Sequence, residues 1–217
     1  VTPCVEKLCA EKLTARYGDR FIFNEISLEI DFGAVTLVTG ANGSGKSTLL
    51  QILAGLRRPL SGTVTFNGEV VCPSTPKIAA SYRNRVGYLG HELLLYRELT
   101  VRENLRLFSA GHSSTDASVS GVGAILLDSF NLRPHLDKTL SACSFGIAKK
   151  TSIVRALLHN PDAIIFDEPF SGLDKDSSDA LAAVLSARKS AGAAIVLSSH
   201  EDQVAAGMVT AEFQLGD

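Results

Sequence analysis

No stretch of the 217-residue sequence approaches the ~18 apolar residues in a row that a membrane-spanning helix requires. Any service to a membrane must therefore pass through a partner. The first ten residues carry Glu6 and Lys7 and lack the apolar stretch of a signal peptide. An excess of one charge is missing too. The formal net charge of −2 gives no global basic field, so neither nucleic acid nor an anionic membrane surface is an expected partner. The four cysteines, Cys4, Cys9, Cys72 and Cys143, form no C-x-x-C pair, which favours reduced thiols over a metal site or disulfide framework. Internal repeats and low-complexity tracts are absent, and the Ser/Gly-rich residues 111–123 read as a loop. What is present is an apolar share of 45% and a charged share of 20%, enough for the core of one α/β domain with a smaller lobe inserted into it.

Three apolar, β-branched runs read as buried strands: residues 34–39, 163–166 and 193–197. Each empties into a polar cluster, as strands of a parallel sheet do at a ligand site. Residues 9–17, 21–30 and 62–66 alternate better and suggest a flanking antiparallel sheet. Leu49, Leu50, Ile52, Leu53 and Leu56 form a helical stripe after the first run. Leu181, Val184, Leu185 and Arg188 form another, closed by Gly192. Thr100-Val101-Arg102-Glu103 is a capping box opening a helix through Phe108. Residues 91–156 interrupt the strand pattern and read as mostly helical.

Gly40-Ala41-Asn42-Gly43-Ser44-Gly45-Lys46-Ser47-Thr48 fills every fixed position of a P-loop. The glycines let backbone N–H groups approach phosphate oxygens with no Cβ in the way. A helix beginning near Lys46 adds its positive end. Lys46 supplies a full charge to the β- and γ-phosphates, and the Ser47 hydroxyl is a ligand for Mg²⁺. Ile164-Ile165-Phe166 runs into Asp167-Glu168, where Asp167 suits Mg²⁺ through a water and Glu168 the polarisation of an attacking water. Ser171-Gly172-Leu173-Asp174 follows. His200 comes just after the last apolar run, at the edge where the phosphates belong.

These pieces in this order resemble the nucleotide-binding domains of ABC transporters, over essentially the whole chain. The resemblance implies a P-loop NTPase (RecA-like) core with a mainly parallel sheet, a flanking antiparallel β subdomain and an inserted helical subdomain. The core would span about residues 1–90 and 156–217, the helical part about 91–155. Tyr17 lies where the family places the aromatic that stacks on adenine. Residues 40–48 look like Walker A, Ile164 to Asp167 like Walker B, Glu168 like the catalytic glutamate, Ser171 to Asp174 like the D-loop, and His200 like the switch histidine. The resemblance also implies ATP and Mg²⁺ as ligands and a dimer, of two copies or with a paired ATP-binding subunit. A separate membrane permease would be driven by ATP closure and hydrolysis, which places the chain peripherally on the cytoplasmic face of the membrane.

Two motifs depart from the family pattern. The signature, usually close to Leu-Ser-Gly-Gly-Gln, fits either Leu140-Ser141-Ala142 or Cys143-Ser144-Phe145-Gly146-Ile147. The second needs no insertion before the following helix and keeps Ser144, able to cap that helix and reach a γ-phosphate across a dimer, and Gly146. In the Q-loop, Val86-Gly87-Tyr88-Leu89-Gly90 ends in His91 instead of glutamine, offering a ring nitrogen to Mg²⁺ or water. Tyr88 to His91 with Glu98 to Leu105 looks similar to the haem-exporter subunits of cytochrome c maturation, although other exported substrates stay open. So does an ATP-binding module with little turnover. A soluble ABC ATPase of DNA repair or translation would carry long coiled coils or a second cassette, and a P-loop GTPase an Asn-Lys-x-Asp motif. Neither is present. Glu92, Leu93, Leu94, Leu95 and Tyr96 read equally as core or as a docking surface for a permease helix.

Overall fold

The computed structural model describes residues 7–109, 121–199 and 207–216. In chain order its strands are β1 (Lys7–Tyr17), β2 (Arg20–Asp31), β3 (Val35–Thr39), β4 (Ser61–Phe66), β5 (Glu69–Cys72), β6 (Val86–Leu89), β7 (Ala163–Phe166), β8 (Ala194–Ser198) and β9 (Ala211–Gln214). The α-helices are α1 (Lys46–Leu53), α2 (Pro76–Arg83), α3 (Val101–Ser109), α4 (Val122–Ser129), α5 (Phe145–Leu157) and α6 (Lys175–Ser190).

The strands form a four-stranded sheet ordered β2-β1-β4-β5 and a five-stranded sheet ordered β6-β7-β8-β3-β9. Every pairing in the first is antiparallel and every pairing in the second is parallel. All residues of β7 and β8 are buried, as expected of strands covered on both faces. The period-two alternation sorts their side chains between two cores. Ala163, Ile165, Ala194 and Val196 face α1 and the antiparallel sheet, whereas Ile164, Phe166, Ile195 and Leu197 face α5 and α6. The parallel sheet is therefore the middle layer.

The second core continues without a break through Ile153, Val154 and Leu157 of α5 into Leu105 of α3 and Leu126 and Leu127 of α4. Helix α5 thus crosses the expected boundary near residue 155 and belongs to the sheet as much as to the helical part. The capping box at Thr100 and Glu103 forms in both directions, with the Thr100 N–H donating to Glu103 Oε2 (2.8 Å) and the Glu103 N–H to Thr100 Oγ1 (3.1 Å). Gly192, at φ 91, ends α6 as its composition suggests.

One expectation needs correction, and three strands carry no sequence signal. The loop expected over residues 111–123 gives way at Val122, where α4 begins with Gly121 as its N-cap. Most of the described residues from 91 to 156 are helical, as the sequence suggests, with two interruptions. Residues 90–99 carry no helix, and two short 3₁₀ turns, Arg133–His135 and Leu140–Ala142, separate α4 from α5. Strands β5 and β6 are four residues each, too short for alternation to register, and the mostly exposed β9 has no apolar run.

Candidate nucleotide site

Parallel pairing fixes which residues meet at the C-terminal edge of the middle sheet. Leu89 pairs with Phe166, Phe166 with Leu197, and Val38 with Ser198. The next residues along each strand then emerge side by side: His91 after β6, Asp167 and Glu168 after β7, Ser198 at the end of β8, and Gly40 after β3. Ligands of open α/β sheets bind at this edge.

Gly40 to Gly45 turn between β3 and α1, with Lys46 as the first helical residue. Gly40 stands at φ 142, and a Cβ there would come within 2.7 Å of the Leu215 carbonyl oxygen. Gly45 caps α1 at φ 103, and its Cβ would meet Ile22 Cγ2 at 2.4 Å and Phe23 Cδ1 at 3.1 Å. No other residue type fits either position. Those contacts also place the β1–β2 hairpin, with the exposed Tyr17 near its tip, against the loop. Ala41, Asn42 and Gly43 are exposed, while Ser44, Ser47 and Thr48 are half-buried. The buried Lys46 Nζ donates to the carbonyl oxygens of Gly40 (2.7 Å) and Ala41 (3.1 Å). Ser44 Oγ is buried without a hydrogen-bond partner, as a donor reserved for an anion would be.

Asp167 is buried, and its two oxygens differ sharply. Oδ1 accepts from the Ser198 hydroxyl at 2.5 Å. Oδ2 has no hydrogen-bond partner, and His91 Nε2 lies 3.6 Å from it. A buried carboxylate oxygen left so is costly unless a cation or bound water serves it, which fits the expected role of Asp167 toward Mg²⁺.

Glu168 stands at φ 46, a conformation L-residues adopt at a cost of roughly 1–2 kcal/mol. Three contacts hold it there. Its N–H donates to Ser198 Oγ (2.9 Å), and its carbonyl accepts from the Ser171 N–H (3.3 Å) and from Lys149 Nζ (3.0 Å). Ser198 therefore orients both carboxylate residues at once. Burial pushes the Lys149 ammonium below the usual lysine range, opposed by Glu168 and Asp167.

Ser144 caps α5, its hydroxyl accepting from the Ile147 N–H at 3.3 Å, and both it and Phe145 are exposed. The Phe145 ring lies over Gly172, where a Cβ would meet it at 3.3 Å. Gly146 follows in the first turn of α5. One turn on, Lys150 Nζ lies 3.3 Å from Asp174 Oδ2. Asp174 in turn caps α6 through the Ser177 N–H (2.8 Å), and its hydrogen bonds to Ser177, reinforced by Lys150, pull its carboxyl down to about 2. One helix thus touches the loop from 168 to 174 at both Lys149 and Lys150. Leu140, at the other candidate signature position, is buried in a 3₁₀ turn. His200 lies outside the described residues.

Ser198, Lys149 and Lys150 carry much of this geometry and escaped the sequence reading. The lysine pair had a signal, two adjacent cations one turn into the helix that Ser144 caps. Ser198 had the weaker one of a hydroxyl closing an apolar strand. Lys149→Met keeps the length and loses the donor. It is expected to lower kcat for ATP roughly tenfold while leaving KM nearly unchanged, with recovery in Lys149→Arg. Steady-state kinetics of both variants check this, since a merely structural role would leave that split unseen.

Phosphate-cradling loop, buried carboxylate and strained glutamate on one sheet edge define a P-loop nucleoside triphosphatase. The family model described as ABC transporter matches residues 23–171. The chain belongs to that family, as one of its ATP-binding, ATP-hydrolysing subunits. It is 34% identical over 177 residues to the ABC transporter ATP-binding protein NatA of Bacillus subtilis, covering 81% of this chain and 70% of that protein. The cytochrome c biogenesis ATP-binding export protein CcmA of Mannheimia succiniciproducens is 31% identical over 199 residues, 91% of this chain and 89% of its own. A solved ATP-binding subunit of an ABC transporter superimposes with a TM-score of 0.87 at 30% identity, covering 95% of this chain and 85% of that one.

Proposed function

We propose that the chain is the ATPase of an ABC exporter that serves cytochrome c maturation by driving a haem-moving permease. The observation carrying the ATPase half is the alignment of Lys46, Asp167 Oδ2 and Glu168 on one sheet edge. Support for the haem half is the similarity to CcmA proteins over nearly the full length of both chains. Water attacks the γ-phosphate in line, with Glu168 accepting its proton. Lys46 and the loop amides take up the spreading charge, and Tyr17 stacks on the adenine. Ser47, and Asp167 through a water, would hold Mg²⁺, which would supply charge neutralisation at the phosphates. His91 lies beside the attacking water, and His200 keeps the γ-phosphate-sensing role that its motif suggests.

Exposed Ser144 and Phe145 suit a second copy, which closes the site by presenting Ser144 and Gly146 to the γ-phosphate, with Asp174 bracing the contact. No helix among the described residues is long and apolar enough to cross a membrane. In this reading the permease is a separate chain, and this subunit sits on its cytoplasmic face. Residues 93–96 suit its docking. Leu93 and Leu95 pack inward, whereas Leu94 and Tyr96 are exposed. The buried Asn104 fixes that segment, accepting from the Tyr96 N–H (2.8 Å) and donating to the Tyr96 carbonyl (2.9 Å).

Tagged Glu168→Gln chain, recovered from native membranes with ATP present, is expected to bring down a multi-spanning permease detectable by mass spectrometry. Recovery of a permease for another substrate would overturn the haem assignment. Recovery of soluble partners only, or none, would favour an ATP-binding module without a transport role.

A further inference from the structure

His91 is where this site departs most from an all-oxygen environment. Together with Asp167 and Glu168 it forms a cluster whose ligand atoms lie within 4.8 Å of one another. Its Nε2 is 3.6 Å from Asp167 Oδ2, the buried oxygen that has no hydrogen-bond partner and faces the cluster. Four-coordinate zinc binds imidazole nitrogen and carboxylate oxygen at about 2.0–2.2 Å, which sets neighbouring ligands about 3.4 Å apart. The observed separation is within a few tenths of an ångström of that edge. The His91 side chain is 65% exposed, so its ring is free to make the adjustment, while Asp167 at 1% is fixed. Ser198 supplies an outer hydrogen bond, holding Asp167 Oδ1 at 2.5 Å and so aiming Oδ2 at the cluster.

Imidazole with carboxylates suits zinc and its transition-metal neighbours, whereas Mg²⁺ prefers oxygen ligands and keeps its waters. We propose that His91, Asp167 and Glu168 form a three-ligand Zn²⁺ site in the nucleotide-free chain, with water in the fourth position. Zinc bound there engages the Glu168 carboxylate as a ligand and so holds the subunit inactive until the metal leaves. The site shares its carboxylates with the hydrolysis reading, but binding to the nucleotide-free protein does not depend on turnover.

The test is titration of purified, nucleotide-free chain with Zn²⁺ by calorimetry and with Co²⁺ by visible absorption. One metal per chain is expected, with the intense visible bands of low-coordinate Co²⁺. His91→Gln, which keeps the polar side chain, is expected to weaken Zn²⁺ binding on the order of 10²-fold and to abolish those bands, and Cys143→Ser to change neither. Equal affinity in wild type and His91→Gln, or no binding by the wild type, would overturn the proposal. A wild type that binds zinc but never hydrolyses ATP would defeat the hydrolysis reading and leave the metal site standing.

Discussion

Glu168→Gln is expected to lower kcat for ATP by roughly 10²–10⁴-fold, the usual worth of a positioned general base, while ATP affinity is kept or improved. Glutamine matches the carboxylate in size and leaves the backbone contacts untouched. The Ser198 hydroxyl still meets the residue 168 N–H, and Lys149 and the Ser171 N–H still hold its carbonyl. What disappears is the carboxylate placed to take a proton from the attacking water. The expected phenotype is therefore a protein that loads nucleotide and stays loaded, seen as near-zero phosphate release alongside normal binding of a fluorescent ATP analogue. Near-normal turnover would remove Glu168 from the chemistry and leave its strained backbone, at φ 46, without a catalytic reason.

Lys46→Ala is expected to act a step earlier, weakening ATP binding on the order of 10²–10³-fold. The side chain is buried, and its ammonium is held in the loop by the Gly40 and Ala41 carbonyls. Charge-assisted hydrogen bonds contribute about 1.5–3 kcal/mol each, and losing one or two to the phosphates accounts for that range. Alanine also leaves those two carbonyls without their donor, so part of the loss is loop shape. Calorimetric ATP titration measures the affinity, and circular dichroism confirms that the fold survives. Affinity within a few-fold of wild type would mean that the loop amides alone bind the phosphates. The two variants separate binding from chemistry, since one fails to load and the other fails to fire.

Much of this is legible in the sequence alone. The P-loop is a local motif whose geometry follows from residue type, so Gly40 to Thr48 could be placed from spacing alone. The buried strands of the middle sheet are legible because both faces are covered and most positions are apolar. By contrast, β6 and β5 are too short to show a period, and β9 is an edge strand with little to bury. The site divides in the same way. Asp167 and Glu168 followed from a strand ending in carboxylates, and Ser144 from a helix start. Ser198 and Lys149 act through contacts 30 and 19 residues away in sequence, which only the sheet order and the run of α5 bring about. The unequal fates of the two Asp167 oxygens were equally invisible, because they depend on which neighbour the pairing of β7 with β8 supplies.

The most direct measurement is phosphate release by purified wild-type chain given ATP, with Mg²⁺ and then with the metal chelated, beside Glu168→Gln under the same conditions. Release by the wild type that stops on chelation, and that is absent from Glu168→Gln throughout, is the expected result. Equal release from both proteins, or release that ignores the metal, would contradict a hydrolytic centre built on Lys46, Asp167 and Glu168.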